Sequence, residues 1–521
     1  MLKSKRLESI EPWLLQVVFL LTLYSLLLPA IRIFIEYGHF FYINGHDEAD
    51  YLSYEFSLRV QSFRRLSLYI VSYLHEYGFS GGGINFLFDF ISLTVIGLII
   101  PDLIKIFYPD VSVKDRYIAS FIICLTPILL IYIDREFLFI LLSKIQNKGW
   151  YYYWFVDGRG TRYPIYLRTP ESQFSLVLGI VSLWGFIKAG KTRWIILCTP
   201  FMYYYVGVLW FAIVFIYSLA VFIAQKKFEQ QILKPVILSA LIFLIFLGSA
   251  QAVIFPLANL GRQALISHEP VFGFSFIVLL ILYTVFLFNR KKLNIDNKIY
   301  LFLSSIVAAV IVVYNSNVVS GFVLQPQHFE FQVNILVGVF VGIFFLSIIE
   351  HITKRKKSAF IVIYMFLIFS LIIHTTRSDY YVYKWQSQML QSLKALPGFE
   401  EALRSEDKRV AIDVSDLSSN ISGFYLPKGR ALATARESIF GANQDTYNDF
   451  VALKQCIKKE TLFVQERMEP ILSEFEQYFE HKFEDFHPLY RARRPRVIYT
   501  YNNEPVEIDC NKFSLFIIPL W

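Results

Sequence analysis

Residues Trp13–Ile33 read WLLQVVFLLTLYSLLLPAIRI, with one cation, Arg32, and no carboxylate. A helix of that length covers about 30 Å, the thickness of a bilayer's hydrocarbon core. The run predicts a first membrane span. It lacks a clear small-residue cleavage site, so it is expected to stay as a helix rather than to be removed as a signal.

Further apolar stretches of spanning length follow at Phe86–Phe107, Tyr117–Ile133, Phe174–Ile187, Trp194–Tyr205, Val206–Ala224, Pro235–Ile254, Val271–Phe288, Ile299–Tyr314, Val333–Ile349 and Ala359–His374. The run from Trp194 to Ala224 is too long for one ordinary span. Its Met202–Gly207 patch offers a place to turn, and two short helices are expected there. The expected fold class is a polytopic α-helical membrane protein of about 11 transmembrane helices. Composition agrees: 55% of the 521 residues are hydrophobic and only 18% are charged, and mean hydropathy is +0.47, whereas soluble proteins run near a quarter charged.

The formal charge of +8 does not point to nucleic acid, because Lys and Arg fall in short clusters between apolar runs and not on one basic face. Those clusters carry topology instead. With Lys3, Lys5 and Arg6 inside, alternate connections hold Lys105/Lys114/Arg116, Lys188/Lys191/Arg193, Lys226/Lys227/Lys234, Arg290/Lys291/Lys292 and Lys354/Arg355/Lys356/Lys357, as the positive-inside rule requires. An odd number of spans then leaves the tail outside. The chain divides into a transmembrane domain, 1–376, whose first outer loop covers about 36–85, and an extracytoplasmic tail, 377–521. Surface helices are expected in that loop. Strand and helix signals at Arg409–Val414, Pro470–Phe483, Arg496–Tyr501 and Phe513–Ile518 predict a soluble α/β domain in the tail. Cys456 and Cys510 can form a single bridge if the tail is extracytoplasmic.

The outer connections carry the reactive groups. In the first loop, Gly45-His-Asp-Glu-Ala-Asp-Tyr51 sets Asp47 and Glu48 before a Tyr/Phe/Leu-rich stretch, and a carboxylate there would also serve as an ordinary helix cap. The second outer loop opens on Asp134-Arg135-Glu136, a group suited to a divalent metal ion, with Asp134 and Glu136 as ligands, to an acidic lipid headgroup or, equally, to a local ion pair. Arg159, Arg162 and Arg168 follow among turn residues. A guanidinium forks onto phosphate oxygens, so these three are candidates for holding a phosphate or diphosphate. The connection Asn315–Gln332 is too apolar for a solvated loop and too polar for a span, which nominates Gln325, Gln327, His328 and Glu330 as lining a cavity. His268 and Glu269 form a weaker candidate of the same kind.

One inside-to-outside span, a large first outer loop opening on Gly-His-Asp-Glu-Ala-Asp-Tyr, surface helices, many further spans and an outer C-terminal domain together resemble the GT-C superfamily of membrane glycosyltransferases. That superfamily includes protein O-mannosyltransferases and aminoarabinose transferases. The resemblance implies a sugar transfer from a polyprenyl-phosphate donor to a glycan, lipid or protein acceptor at the outer face. It implies further that Asp47 or Glu48 fills the early acidic motif of those enzymes, and it suits a bacterial plasma membrane. No WWD-type acceptor motif and no donor signature accompany it. An O-antigen-type polymerase or ligase would place its main outer loop late in the chain, whereas the largest internal outer loop here is the first. A transporter would show paired repeats and charged or broken segments near mid-membrane, and the predicted spans are nearly free of ionisable residues.

Overall fold

The first apolar run is helical: α1 (Leu2–Tyr24) passes through one tight turn at Ser25–Leu27 into α2 (Leu28–Tyr37). Pro29 sits in the first turn of α2, where its missing N–H would have no intrahelical partner anyway. Gly38 ends α2 with a left-handed φ of 76°, and its N–H donates back to Phe34 O. A side chain would be strained in that conformation. The structure, a computed structural model, describes residues 2–42, 52, 66–133, 165–167, 171–189, 202, 204–225, 237, 241, 264–266, 270–290, 296–320, 322–324, 326–349, 354–405, 409–413, 425–426, 444–479 and 505–518.

The predicted first loop, about 36–85, contains a short helix. In α3 (Leu66–Glu76), Leu68, Val71 and His75 are buried on one side while Tyr69 and Tyr73 are exposed on another. The next helix, α4 (Gly81–Phe107), starts ahead of the predicted Phe86. Ser80 explains the earlier start, since its Oγ accepts the Gly83 N–H at 3.2 Å and caps the first turn. Helix α5 (Val113–Ile133) opens on a reciprocal cap, with the Asp115 N–H donating to Ser112 Oγ and that hydroxyl donating to Asp115 Oδ2.

The remaining elements are α6 (Glu171–Ala189), α7 (Tyr204–Gln225), β1 (Ala264–Ile266), α8 (Phe274–Asn289), α9 (Asn297–Tyr314), α10 (Asn317–Ser320), β2 (Phe322–Leu324), α11 (Pro326–Ile349), α12 (Lys354–Lys394), α13 (Phe399–Arg404), β3 (Arg409–Ile412), α14 (Gln444–Ile457), α15 (Leu462–Phe479) and β4 (Phe513–Phe516). Among the described residues, five helices are long and apolar enough to cross a membrane: Pro12–Tyr37, Gly81–Phe107, Val113–Ile133, Tyr205–Ala224 and Ser358–Lys394. Shorter apolar helices lie at Ser172–Gly185, Phe274–Asn289, Ile299–Tyr314 and Gln332–Ile348. Their outward faces carry large apolar side chains, such as Phe366 at 70% exposure and Phe288 at 83%, which water would penalise and lipid accepts. The chain is a helical integral membrane protein. Most of the predicted spans Trp194–Tyr205 and Pro235–Ile254 fall outside the described residues.

Two compact units emerge, one of Met1–Leu26, Phe90–Thr375 and Arg493–Pro495, the other of Leu27–Asp89, Thr376–Ala492 and Arg496–Trp521. In the first unit α11 packs on α5 through a small-xxx-small pair. A Cβ on Gly338 would collide with the Ile123 carbonyl oxygen, and one on Gly342 would lie 2.5 Å from Ile123 Cγ1. Helices in lipid associate through such close backbone approach, since no hydrophobic gradient drives them together. Where α11 meets α7, α8 and α9, Leu279, Leu303, Val333 and Val337 are fully buried in one apolar cluster.

In the second unit, β3 and β4 pair in parallel, Arg409 opposite Phe513 and Ile412 opposite Phe516. Helices α14 and α15 cover them with Leu453, Met468 and Ile471. Cys456 and Cys510 are joined by a disulfide. Asp413, at the end of β3, accepts the Ile518 N–H at 3.1 Å and pairs with Arg467, so this carboxylate serves the strand pair. The predicted helix Pro470–Phe483 begins earlier, at Leu462, with Pro470 inside it. The predicted strand Arg496–Tyr501 lies outside the described residues.

Candidate functional site

Asp47 and Glu48 lie outside the described residues, but the chain on both sides of them is anchored. Five residues before Asp47, Tyr42 is 2% exposed and its hydroxyl donates to Asp89 Oδ2 at 2.9 Å. Five residues after it, Leu52 is fully buried and its carbonyl oxygen lies 2.8 Å from His75 Nε2. Asn85 Nδ2 adds a bond to the Tyr42 carbonyl. All of these belong to the second unit. Helix α3 and the start of α4 thus supply buried polar side chains as partners for the backbone at Tyr42 and Leu52.

Asp89 is the group that sequence reasoning passed over. It falls inside the predicted span Phe86–Phe107, is 1% exposed, and is an exception among spans that are nearly free of ionisable residues. The signal was present: a carboxylate inside the apolar run NFLFDFISL must find a buried partner. Asp102, near the other end of the same helix, is only half-buried; it accepts Trp184 Nε1 at 2.7 Å and pairs with Lys188 at 3.0 Å.

Next to the tethered loop stands His39, just after the left-handed Gly38. Its ring meets Phe41 and Tyr425 edge-on at 6.1 and 6.0 Å, and neither ring nitrogen has a hydrogen-bond partner among the described residues. Burial, with Lys394 nearby, pushes the imidazole down to about 4, so it is neutral at physiological pH.

Arg159, Arg162 and Arg168 also lie outside the described residues. The turn Ile165–Leu167 immediately before Arg168 is anchored in the first unit. Tyr166 is 1% exposed, its hydroxyl donates to the Cys124 carbonyl at 2.6 Å, and its own carbonyl accepts Gln173 Nε2. Arg168 therefore follows a fixed point on α5 and precedes α6, whose buried Gln173 holds that point.

The connection Asn315–Gln332 differs from the irregular, cavity-lining backbone expected of it. It folds into α10, the strand β2 and the start of α11, and β2 pairs antiparallel with β1, Ala264 opposite Leu324. That pairing gives the backbone of Phe322–Leu324 hydrogen-bond partners. Gln325, His268 and Glu269 lie outside the described residues, while Gln327 and His328 occupy the first turn of α11. Glu330 has a structural role. It is 2% exposed, accepts the Ser275 N–H at the start of α8 and the Tyr314 hydroxyl at 3.1 Å, and stands where Gly273 leaves room for it. Because Gly273 offers no side-chain cap, Glu330 caps α8 from another helix.

Asp134 and Glu136 are outside the described residues. Among the described residues, no three or more His, Cys, Asp or Glu side chains are grouped to hold a metal ion. No family model matches the chain, and a search of curated proteins gives no match.

Proposed function

We propose that the protein is a membrane glycosyltransferase that moves a sugar from a polyprenyl-phosphate-linked donor to an acceptor at the outer face of the membrane. The observation that carries this reading is the acidic segment Gly45–Tyr51, which follows the first span and is flanked by the buried contacts of Tyr42 with Asp89 and of Leu52 with His75. Asp47 takes the proton of the acceptor hydroxyl as that oxygen attacks the anomeric carbon. The bond from that carbon to the phosphate oxygen breaks, and the polyprenyl phosphate leaves with the electron pair. Glu48 supports Asp47 through hydrogen bonding. Arg168, with Arg159 or Arg162, neutralises the leaving phosphate, and Gln325, Gln327 and His328 line the acceptor side. Asp134 and Glu136 are the residues that would hold a divalent ion, should the transfer use one.

The Cys456–Cys510 disulfide supports an extracytoplasmic tail, because such bonds persist in oxidising compartments. With the basic clusters on alternate connections, that favours a plasma membrane with the N-terminus in the cytoplasm. The buried Asp89 gives some substance to a transport reading, but its pairing with Tyr42 accounts for it as a support of the first loop. Membranes containing Asp47→Asn or Arg168→Ala are expected to lose glycan transfer by at least about 100-fold, the scale of a missing general base. Unchanged transfer in both variants would remove this mechanism.

A further inference from the structure

Cations are disfavoured at the outer ends of spans, yet three converge at one such place. Arg32 lies twenty residues past Pro12, and Arg377 nineteen residues past Ser358, in the two apolar helices that run Pro12–Tyr37 and Ser358–Lys394. At 1.5 Å per residue each is about 30 Å from the start of its span, the depth at which lipid phosphates begin. The two helices meet there. The Arg32 guanidinium lies 3.8 Å from the Tyr380 ring centre, and Tyr380 donates to both oxygens of Glu36, which Arg32 also contacts at 2.7 Å. Lys384 Nζ stands 5.9 Å from the same ring, and Arg377 stands 5.9 Å from the ring of Tyr381.

Neither Arg377 nor Lys384 forms an ion pair among the described residues. Glu36 offsets one cation of the three. Tyr381 and Trp385, 57% and 55% exposed, extend the patch outward, as amphipathic rings do at a headgroup layer. We infer that Arg32, Arg377 and Lys384, with Tyr381 and Trp385, bind the phosphate of an anionic phospholipid headgroup in the bilayer. Exposure selects the bilayer lipid over the sugar donor: the Arg32 side chain is 60% exposed, whereas a leaving group needs a water-excluded site. Tyr380 lies against the Arg32 guanidinium face, and although the Arg32 Nε–H donates to Glu36, its outer N–H groups, with Arg377 and Lys384, remain to meet phosphate oxygens. This site is independent of the sugar-transfer reading.

The test uses the full chain in phosphatidylcholine nanodiscs doped with phosphatidylglycerol, with bound lipid counted by native mass spectrometry. Arg377→Gln/Lys384→Gln leaves the Arg32–Glu36–Tyr380 contacts in place and is expected to weaken phosphatidylglycerol binding roughly 25-fold, about fivefold per cation. Lys458→Gln/Lys459→Gln, in the tail, is expected to leave it unchanged. Unfolding midpoints in uncharged detergent separate lost binding from lost folding, and the single exposed Arg377→Gln serves if the double variant is unstable. Equal binding by wild type and a folded variant would overturn the inference. So would an equal loss in the tail variant, displacement of the lipid by millimolar inorganic phosphate, or a loss confined to polyprenyl phosphate.

Discussion

Adding one methyl group to Gly338 should separate α11 from α5, and the same change at Gly342 should do so far less. The Gly338 Cβ would run into the backbone carbonyl of Ile123, with the carbonyl carbon only 3.3 Å away. A backbone atom inside α5 cannot rotate aside, so the helices must part. At Gly342 the two nearest atoms, Ile123 Cγ1 at 2.5 Å and Cδ1 at 3.0 Å, belong to a side chain, and the backbone contact, the Ala119 carbonyl oxygen, is looser at 3.3 Å, so less of the strain falls on the backbone of α5. Overpacking a close contact costs about 1–3 kcal/mol, and Gly→Ala within a helix returns about 1 kcal/mol. Gly338→Ala is therefore expected to lose about 2 kcal/mol and Gly342→Ala to stay within about 1 kcal/mol of wild type. Thermal unfolding of the purified variants in one detergent, read by intrinsic fluorescence, measures the order. Gly338→Ala as stable as wild type, or more stable than Gly342→Ala, would refute the close-approach account of this seam.

Two further outcomes concern the second unit. The Cys456–Cys510 bond closes a loop of 54 residues, so Cys456→Ser/Cys510→Ser should destabilise the tail by about 4 kcal/mol on a chain-entropy basis. In unreduced membranes neither cysteine should alkylate, and free thiols at both would count against the bond. The His39 imidazole is held down at about 4 by burial and Lys394, against 6.5 in an unfolded chain. Between those values the unfolded chain binds a proton that the folded one excludes. Its stabilising contribution is present above about pH 6.5 and is lost as the pH falls through about 4. After discounting for a partly exposed ring, that amounts to about 1 kcal/mol. Unfolding midpoints should then drop less between pH 7.5 and pH 4.5 for His39→Phe than for wild type, and parallel drops would show that His39 is not the group responsible.

Period and length made the helices legible. Phe174–Ile187 and Ile299–Tyr314 fall inside helices, and Val271–Phe288 overlaps one that starts three residues later, at Phe274; all these ends lie within a few residues of the predicted ones. Helix starts were harder to place, because they depend on caps such as Ser80 and Ser112 that lie outside the apolar runs. The 41-residue α12 continues well past His374, since the polar positions after the span keep helical bonding that hydropathy does not report. Glu330 was singled out as lining a cavity and instead caps α8, a role set by a residue 55 positions away in sequence. That kind of long-range partner is invisible to a local pattern. Asp89 was missed for the opposite reason. The apolar run around it identified a span, and the carboxylate inside received no separate weight.

The central claim is transfer from a lipid-linked sugar, and purified protein in liposomes tests it most directly. With a radiolabelled polyprenyl-phosphate sugar and an acceptor fraction from the same membranes, wild type is expected to release free polyprenyl phosphate and label the acceptor in equal amounts. Asp47→Asn, folded by its unfolding midpoint, is expected to do neither. Release and labelling that persist at the wild-type rate in Asp47→Asn, or a wild-type protein that leaves every polyprenyl-phosphate sugar intact, would contradict the account.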